Sequence, residues 1–236
     1  INSIMNKIFD SITASIGNLV ATGDRSKSED VLKKLFFLNT SMYGYLCLGM
    51  LVLLREFVVT IWLDAEYDLS QTIITFMLLE LFLRSIHFPL YMTRTAMGRF
   101  SEYKGLFAAA AFLNIAMDFI LVRPLGITGL FIATIFCRGI TYLADIWVVY
   151  HIELRKPIFD YLSMVAKWIV FLAVTGFLMN KVVFWVSLNG VTGFILRGVI
   201  ISAVYMTAFF IFWGRTQEFR FYKATLEKLV FHKMKG

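Results

Sequence analysis

Apolar residues in this chain are gathered into long runs, and the charges collect in the short stretches between them. An α-helix needs about 20 apolar residues to cross a hydrocarbon core of roughly 30 Å. Windows of that kind predict seven spans, near residues 3–21, 36–62, 71–93, 105–122, 127–150, 164–184 and 192–213. The first is interrupted by Lys7, Asp10 and many Ser, Thr and Asn, a pattern that also suits an amphipathic helix lying in the interface. The segment 214–236 alternates Phe219, Phe221, Tyr222, Leu226, Leu229 and Phe231 with Lys and Arg, which predicts a basic amphipathic tail at the membrane surface.

Composition narrows the class. Of the 236 residues 59% are hydrophobic, and mean hydropathy is +0.73, against roughly 45–50% apolar residues in soluble domains. No soluble core of this size hides so much apolar surface, so the runs must meet lipid and the fold class is an all-α membrane protein, a polytopic helix bundle. With three Pro and no low-complexity tract, one membrane domain is the simplest count. Cys47 and Cys137 both lie in apolar runs and read as small soft hydrophobes. The chain opens on Ile1, without a basic n-region or an apolar h-region, and so resembles a piece of a longer protein.

Charge gives orientation, because cytoplasmic loops retain Lys and Arg. Segments 22–35, 94–104, 151–163 and 214–236 hold 15 of the 23 bases, while the alternate loops hold Arg123 and Lys181 alone. The acidic stretch Asp64, Glu66, Asp68 suits an outward loop. This alternation predicts a chain that begins outside and ends in the cytoplasm. It also explains the net charge of +7 through anionic inner-leaflet lipids, with no nucleic-acid motif beside it.

Ionised groups at membrane depth cost at least about 2.5–3.5 kcal/mol and usually line a cavity or find a partner. Arg84 stands 13 residues into its span, near the midplane. Glu80, Arg84 and His87 share one helix face at spacings of four and three, Arg138 and Asp145 share another at seven, and Lys7 with Asp10 repeats the pairing. Arg55 with Glu56 lies about two turns below the outer end of the second span. Lys167, Arg197 and Asp118 sit near span ends, where snorkelling accounts for them. Several helices each carrying a cation beside an acid predict a hydrated interior with positive bias, in which Glu80, His87, Asp145, Asp10 and Glu56 are polar partners or ion-coupling groups. Neither a nucleophile elbow, a phosphate loop, H-E-x-x-H nor a paired-Cys motif is present, so no catalytic, metal or cofactor site is expected.

Four motifs in order carry a family resemblance. They are D-S-I-T-A-S-I-G-N-L-V-A-T-G-D (Asp10 to Asp24) before a basic loop and a span ending I-W-L-D-A-E-Y (Ile61 to Tyr67), then G-R-F-S-E-Y-K (Gly98 to Lys104), Asn114, and L-G-I-T-G-L-F-I-A-T (Leu125 to Thr134). The chain resembles the second half of Wzx-type polysaccharide flippases, within the multidrug/oligosaccharidyl-lipid/polysaccharide exporter superfamily. Asp118 departs from the pattern, standing where a small polar residue such as Ser is expected.

The resemblance implies a parent of fourteen spans in two lobes with both termini cytoplasmic, so the partners are a preceding N-terminal lobe, membrane lipids and other polysaccharide-assembly proteins. Its substrate would be an undecaprenyl-diphosphate-linked oligosaccharide, moved across the cytoplasmic membrane by alternating access without covalent chemistry. The cavity cations it suggests are Arg84, Arg138, Arg55 and Lys7. A lipid II-type flippase or a multidrug exporter of the same superfamily is the nearest alternative. A membrane-embedded glycan polymerase or transferase is the alternative from another class, and it would need an outer loop with its own fold, whereas the outer loops here reach about ten residues at most.

Overall fold

The computed structural model describes residues 25–96, 98, 103–185, 188 and 190–233. The predicted span at 3–21, with Lys7 and Asp10, lies outside the described residues. Within them the chain is an all-α membrane bundle, with six helices long and apolar enough to cross a bilayer. These are α1 (Arg25–Glu56, continued by a π-helical turn Phe57–Trp62), α2 (Gln71–Ala96), α3 (Lys104–Leu125), α4 (Ile127–Ile146, continued by a π-helical turn Trp147–Glu153), α5 (Ile158–Phe184) and α6 (Gly190–Trp213). A seventh helix, α7 (Gln217–Lys233), follows a turn in which the Thr216 hydroxyl donates to the Trp213 carbonyl at 2.7 Å and accepts from the Phe219 N–H at 3.4 Å.

Each of the six predicted spans among the described residues lies within a helix, but one loop does not exist as read. Residues 25–35 continue α1, and their charges form helical rungs: Lys33 meets Glu29 at 2.7 Å and Lys34 meets Asp30 at 2.5 Å, both at i, i+4. The helix therefore starts before its apolar stretch. Lys156, in the link between α4 and α5, reaches Glu29 at 2.5 Å, and this carboxylate holds the Lys156 ammonium above the ordinary lysine range.

The described residues form two compact units, one within 25–47 and 68–168, the other within 48–67 and 169–233. In the first, α4 packs on α2 and α3, and the core is built from Leu32, Phe36, Ile74, Ile86, Leu90, Ile146, Tyr150 and Tyr161. In the second, Phe171 is buried among Tyr205, Phe209, Phe212 and Trp213 at centroid separations of 5.6 to 6.5 Å. Most of α3 is outward-facing, with Ala110 its single buried residue and Phe119 73% exposed. A helix apolar on all sides with so little burial is what a lipid-facing span requires.

Two breaks in regular geometry have clear causes. Pro89 lies inside α2 and has no N–H to give the carbonyl of Ser85, four residues earlier. That carbonyl instead accepts a hydrogen bond from the Asn39 side chain of α1, and the next one, of Ile86, accepts from the Tyr161 hydroxyl at 3.0 Å. The Asn39 amide thus replaces the one bond that proline removes, a necessity where no water reaches the backbone, and Tyr161 adds a tie from α5 at the same turn.

The second break is the α3–α4 corner, a link of one residue. Gly126 takes φ 57°, ψ −141°, its N–H closes α3 on the Val122 carbonyl at 2.9 Å, and a Cβ on Gly129 would collide with the Leu121 carbonyl. Gly126→Ala should therefore destabilise the protein by about 1–2 kcal/mol through backbone strain alone. A lower thermal-aggregation midpoint in detergent would register it, and an unchanged midpoint would show that the corner relaxes.

Candidate functional site

The polar groups of the first unit converge on the α2–α4 contact. On α2, Glu80, His87 and Arg94 recur every seven residues, and on α4 Arg138 and Asp145 are also seven apart. Seven residues are close to two helical turns, about 10.5 Å of rise, so the two stripes meet as two rungs of opposite charge. In the first rung Arg138 Nη2 lies 2.7 Å from Glu80 Oε1. In the second, Asp145 receives His87 Nε2 at 2.5 Å and Arg94 Nε at 2.7 Å. An ionised carboxylate can only accept, so the His87 Nε2–H is the donor.

The second rung is the more deeply enclosed. Asp145 is 1% exposed, and Arg94 is buried with its guanidinium carbon 4.7 Å from the Phe107 centroid and 5.6 Å from that of Tyr91. The Arg94 Nε–H is not aimed at a hydrogen-bond acceptor, which makes its contact with Asp145 an ion pair held by charge, with the two rings supplying further cation–π attraction. Tyr142 lies edge-on to His87 at 5.4 Å and to Tyr161 at 6.2 Å, walling this rung with aromatic rings.

Arg84 behaves differently from its neighbours. It stands at the middle of the 26-residue α2, its Nη2 lies 3.5 Å from Glu80 Oε1, and its side chain is 52% exposed. The expected stripe Glu80–Arg84–His87 is real as a helix face, but the tight partners lie across the helix contact: Glu80 holds Arg138 closely and Arg84 loosely, and His87 turns to Asp145. Arg138 also keeps a buried Nε–H without an acceptor.

The remaining expectations distribute as follows. Arg55 and Glu56 fall in the other unit, where Arg55 is exposed and Glu56 pairs with Arg197 of α6. Arg197 is thereby corrected from a snorkelling end residue to a paired cation, which also donates to the Leu188 carbonyl at 2.8 Å. Lys167 is exposed. Arg94 is a second correction, because it lies in the last turn of α2, buried in the α2–α4 cluster, and not in a loop. Its place seven residues after His87 was the available signal. Asn39 and its proline-generated acceptor had no signal at all, since the two are 46 residues apart in sequence.

Comparison with known protein families, with characterised proteins and with solved structures finds no match.

Proposed function

We propose that this chain is the C-terminal part of a transporter that flips a polyprenyl-diphosphate-linked oligosaccharide across the cytoplasmic membrane for surface polysaccharide synthesis. The observation that carries this reading is Arg84, a half-exposed guanidinium at the centre of a membrane-length helix, with Arg138 sharing its Glu80 partner. An arginine there is retained where it lines a cavity or finds a partner, and Glu80 holds this one only loosely. A diphosphate carries at least two negative charges and would cross unpaired only at great expense.

Guanidinium groups bind phosphate oxygens in bidentate fashion. Glu80 offsets one of the two positive charges while the site is empty, and an arriving diphosphate competes with that carboxylate for both arginines. The transported lipid keeps its tail in the bilayer, and the lobes rock around the head group. The basic tail then lies on the cytoplasmic side, among anionic lipids. A drug exporter for organic cations fits less well, since its site would need acids without neighbouring arginines.

Arg84→Glu in the full-length protein tests the reading. Half-exposed, Arg84 contributes no more than about 1 kcal/mol through its pair, so the variant should insert normally. Export of the glycan in a complementation assay should nevertheless stop. Wild-type export by an inserted Arg84→Glu protein overturns the assignment.

A further inference from the structure

A groove of about 200 Å³ runs between α3 and α4, lined on one side by Phe107, Ala110, Ala111 and Asn114 and on the other by Thr134, Cys137, Arg138 and Thr141. Both sets follow the i, i+3, i+4, i+7 spacing of a single helix face, so the groove is a continuous trough between two helices that the Gly126 corner folds against each other. One end is apolar, with the alanines and the ring of Phe107. The other carries Asn114, Thr134 and Arg138, whose hydrogen-bonding capacity the fold fills only in part.

Those groups are specific. The Arg138 Nε is a buried donor without an acceptor, the Asn114 amide has only the weakly accepting Cys137 thiol beside it, and Asp118, one turn beyond the groove lining on α3, keeps a buried carboxylate oxygen without a donor close enough for its charge to be felt at Cys137. Incompletely paired buried groups are costly, and a ligand that completes them removes that cost. A phosphate would satisfy the donors but meet the Asp118 charge. A metal or organic cation would satisfy Asp118 but meet Arg138. Hydroxyl groups satisfy both, because each donates and accepts at one oxygen.

We propose that this groove is a carbohydrate subsite that holds one pyranose ring, its hydroxyls toward Asn114, Thr134 and Arg138 and its C–H face toward Phe107. The volume is below the roughly 300–1,000 Å³ of sites that enclose a whole drug-sized ligand, which fits one ring of a larger molecule. The proposal rests on the flippase reading and deepens it: Arg138 belongs both to the cation pair and to the groove wall, so the sugar nearest the diphosphate is the ring that reaches here. Specificity for that first sugar would then be set by α3 and α4.

The test uses the full-length protein in lipid nanodiscs and two ligands, a polyprenyl-diphosphate oligosaccharide and the same polyprenyl diphosphate without sugar. Asn114→Leu and Thr134→Val each remove a polar contact, and Ala111→Phe fills the groove while keeping every polar group. Each should weaken binding of the glycosylated lipid about 5- to 10-fold, the loss expected for one or two neutral hydrogen bonds. Binding of the bare lipid should stay within about twofold of wild type. Equal loss for both ligands in Thr134→Val and Ala111→Phe would overturn the subsite, since the groove would then read phosphate or serve only packing. Unchanged binding of the glycosylated lipid would overturn it too. Wild-type protein that binds neither lipid would remove the flippase reading itself, and the subsite with it, whereas selective failure of the sugar arm leaves that reading standing.

Discussion

Asp145→Ala is expected to abolish stable folding of the first unit, at a cost of about 3–5 kcal/mol, the range for removing one partner of a buried ion pair. The variant leaves Arg94 buried with no carboxylate, and it removes the acceptor of His87 at the same stroke. Neither group can turn to water from this position, and the aromatic rings around Arg94 offset only part of the loss. Fluorescence-detected size exclusion after a heating series would follow it. The double variant Asp145→Ala/Arg94→Leu should recover a large part of the stability, because an apolar pair of similar volume replaces a buried charge without a partner. A single variant within about 1 kcal/mol of wild type would show that Asp145 is not what holds Arg94.

Glu80→Ala is the second large expected effect, and it separates stability from binding. Removing the carboxylate leaves Arg84 and Arg138 as neighbouring cations on facing helices, with Arg138 22% exposed and so partly able to reach solvent. The cost should be about 2–3 kcal/mol, below the fully buried case for that reason. Binding should move the other way. With Glu80 gone, a polyprenyl diphosphate no longer competes with a resident anion for the two guanidinium groups, and its affinity should rise about tenfold while export slows through tighter retention. A Glu80→Ala protein that is destabilised and binds the diphosphate more weakly would contradict the competition between the two anions, and would leave Glu80 a structural residue alone.

Much of this protein is legible in its sequence. The six described spans follow from apolar runs alone, because lipid imposes a length and a composition that no tertiary contact has to specify. Helix faces are also legible, because the spacing of Glu80 with His87 on α2 and of Arg138 with Asp145 on α4 comes from helical geometry. Failures were of one kind. The start of α1 was read as a loop because its charges ended the apolar run, although charges at i, i+4 are as helical as any apolar stripe. Arg94 was assigned to that same loop class, and Arg197 to snorkelling, because sequence position says how near a span end a charge lies and nothing about what faces it.

The sequence by itself determined that this is a multi-pass helical membrane protein and which residues share a helix face. It could do so because those properties depend on local periodicity and on the solvent, both of which act residue by residue. Partnership was decided only by the tertiary structure. Glu80 could have served Arg84 on its own helix, but the packing of α2 on α4 brings Arg138 closer, at 2.7 Å against 3.5 Å. Likewise Asp145 joins His87 and Arg94 across 58 and 51 residues of chain, and Asn39 fills the carbonyl that Pro89 vacates. Such pairings follow from which helices touch and in what register, a global outcome that no local pattern encodes, and they leave Arg84 as the half-exposed cation on which the proposed function rests.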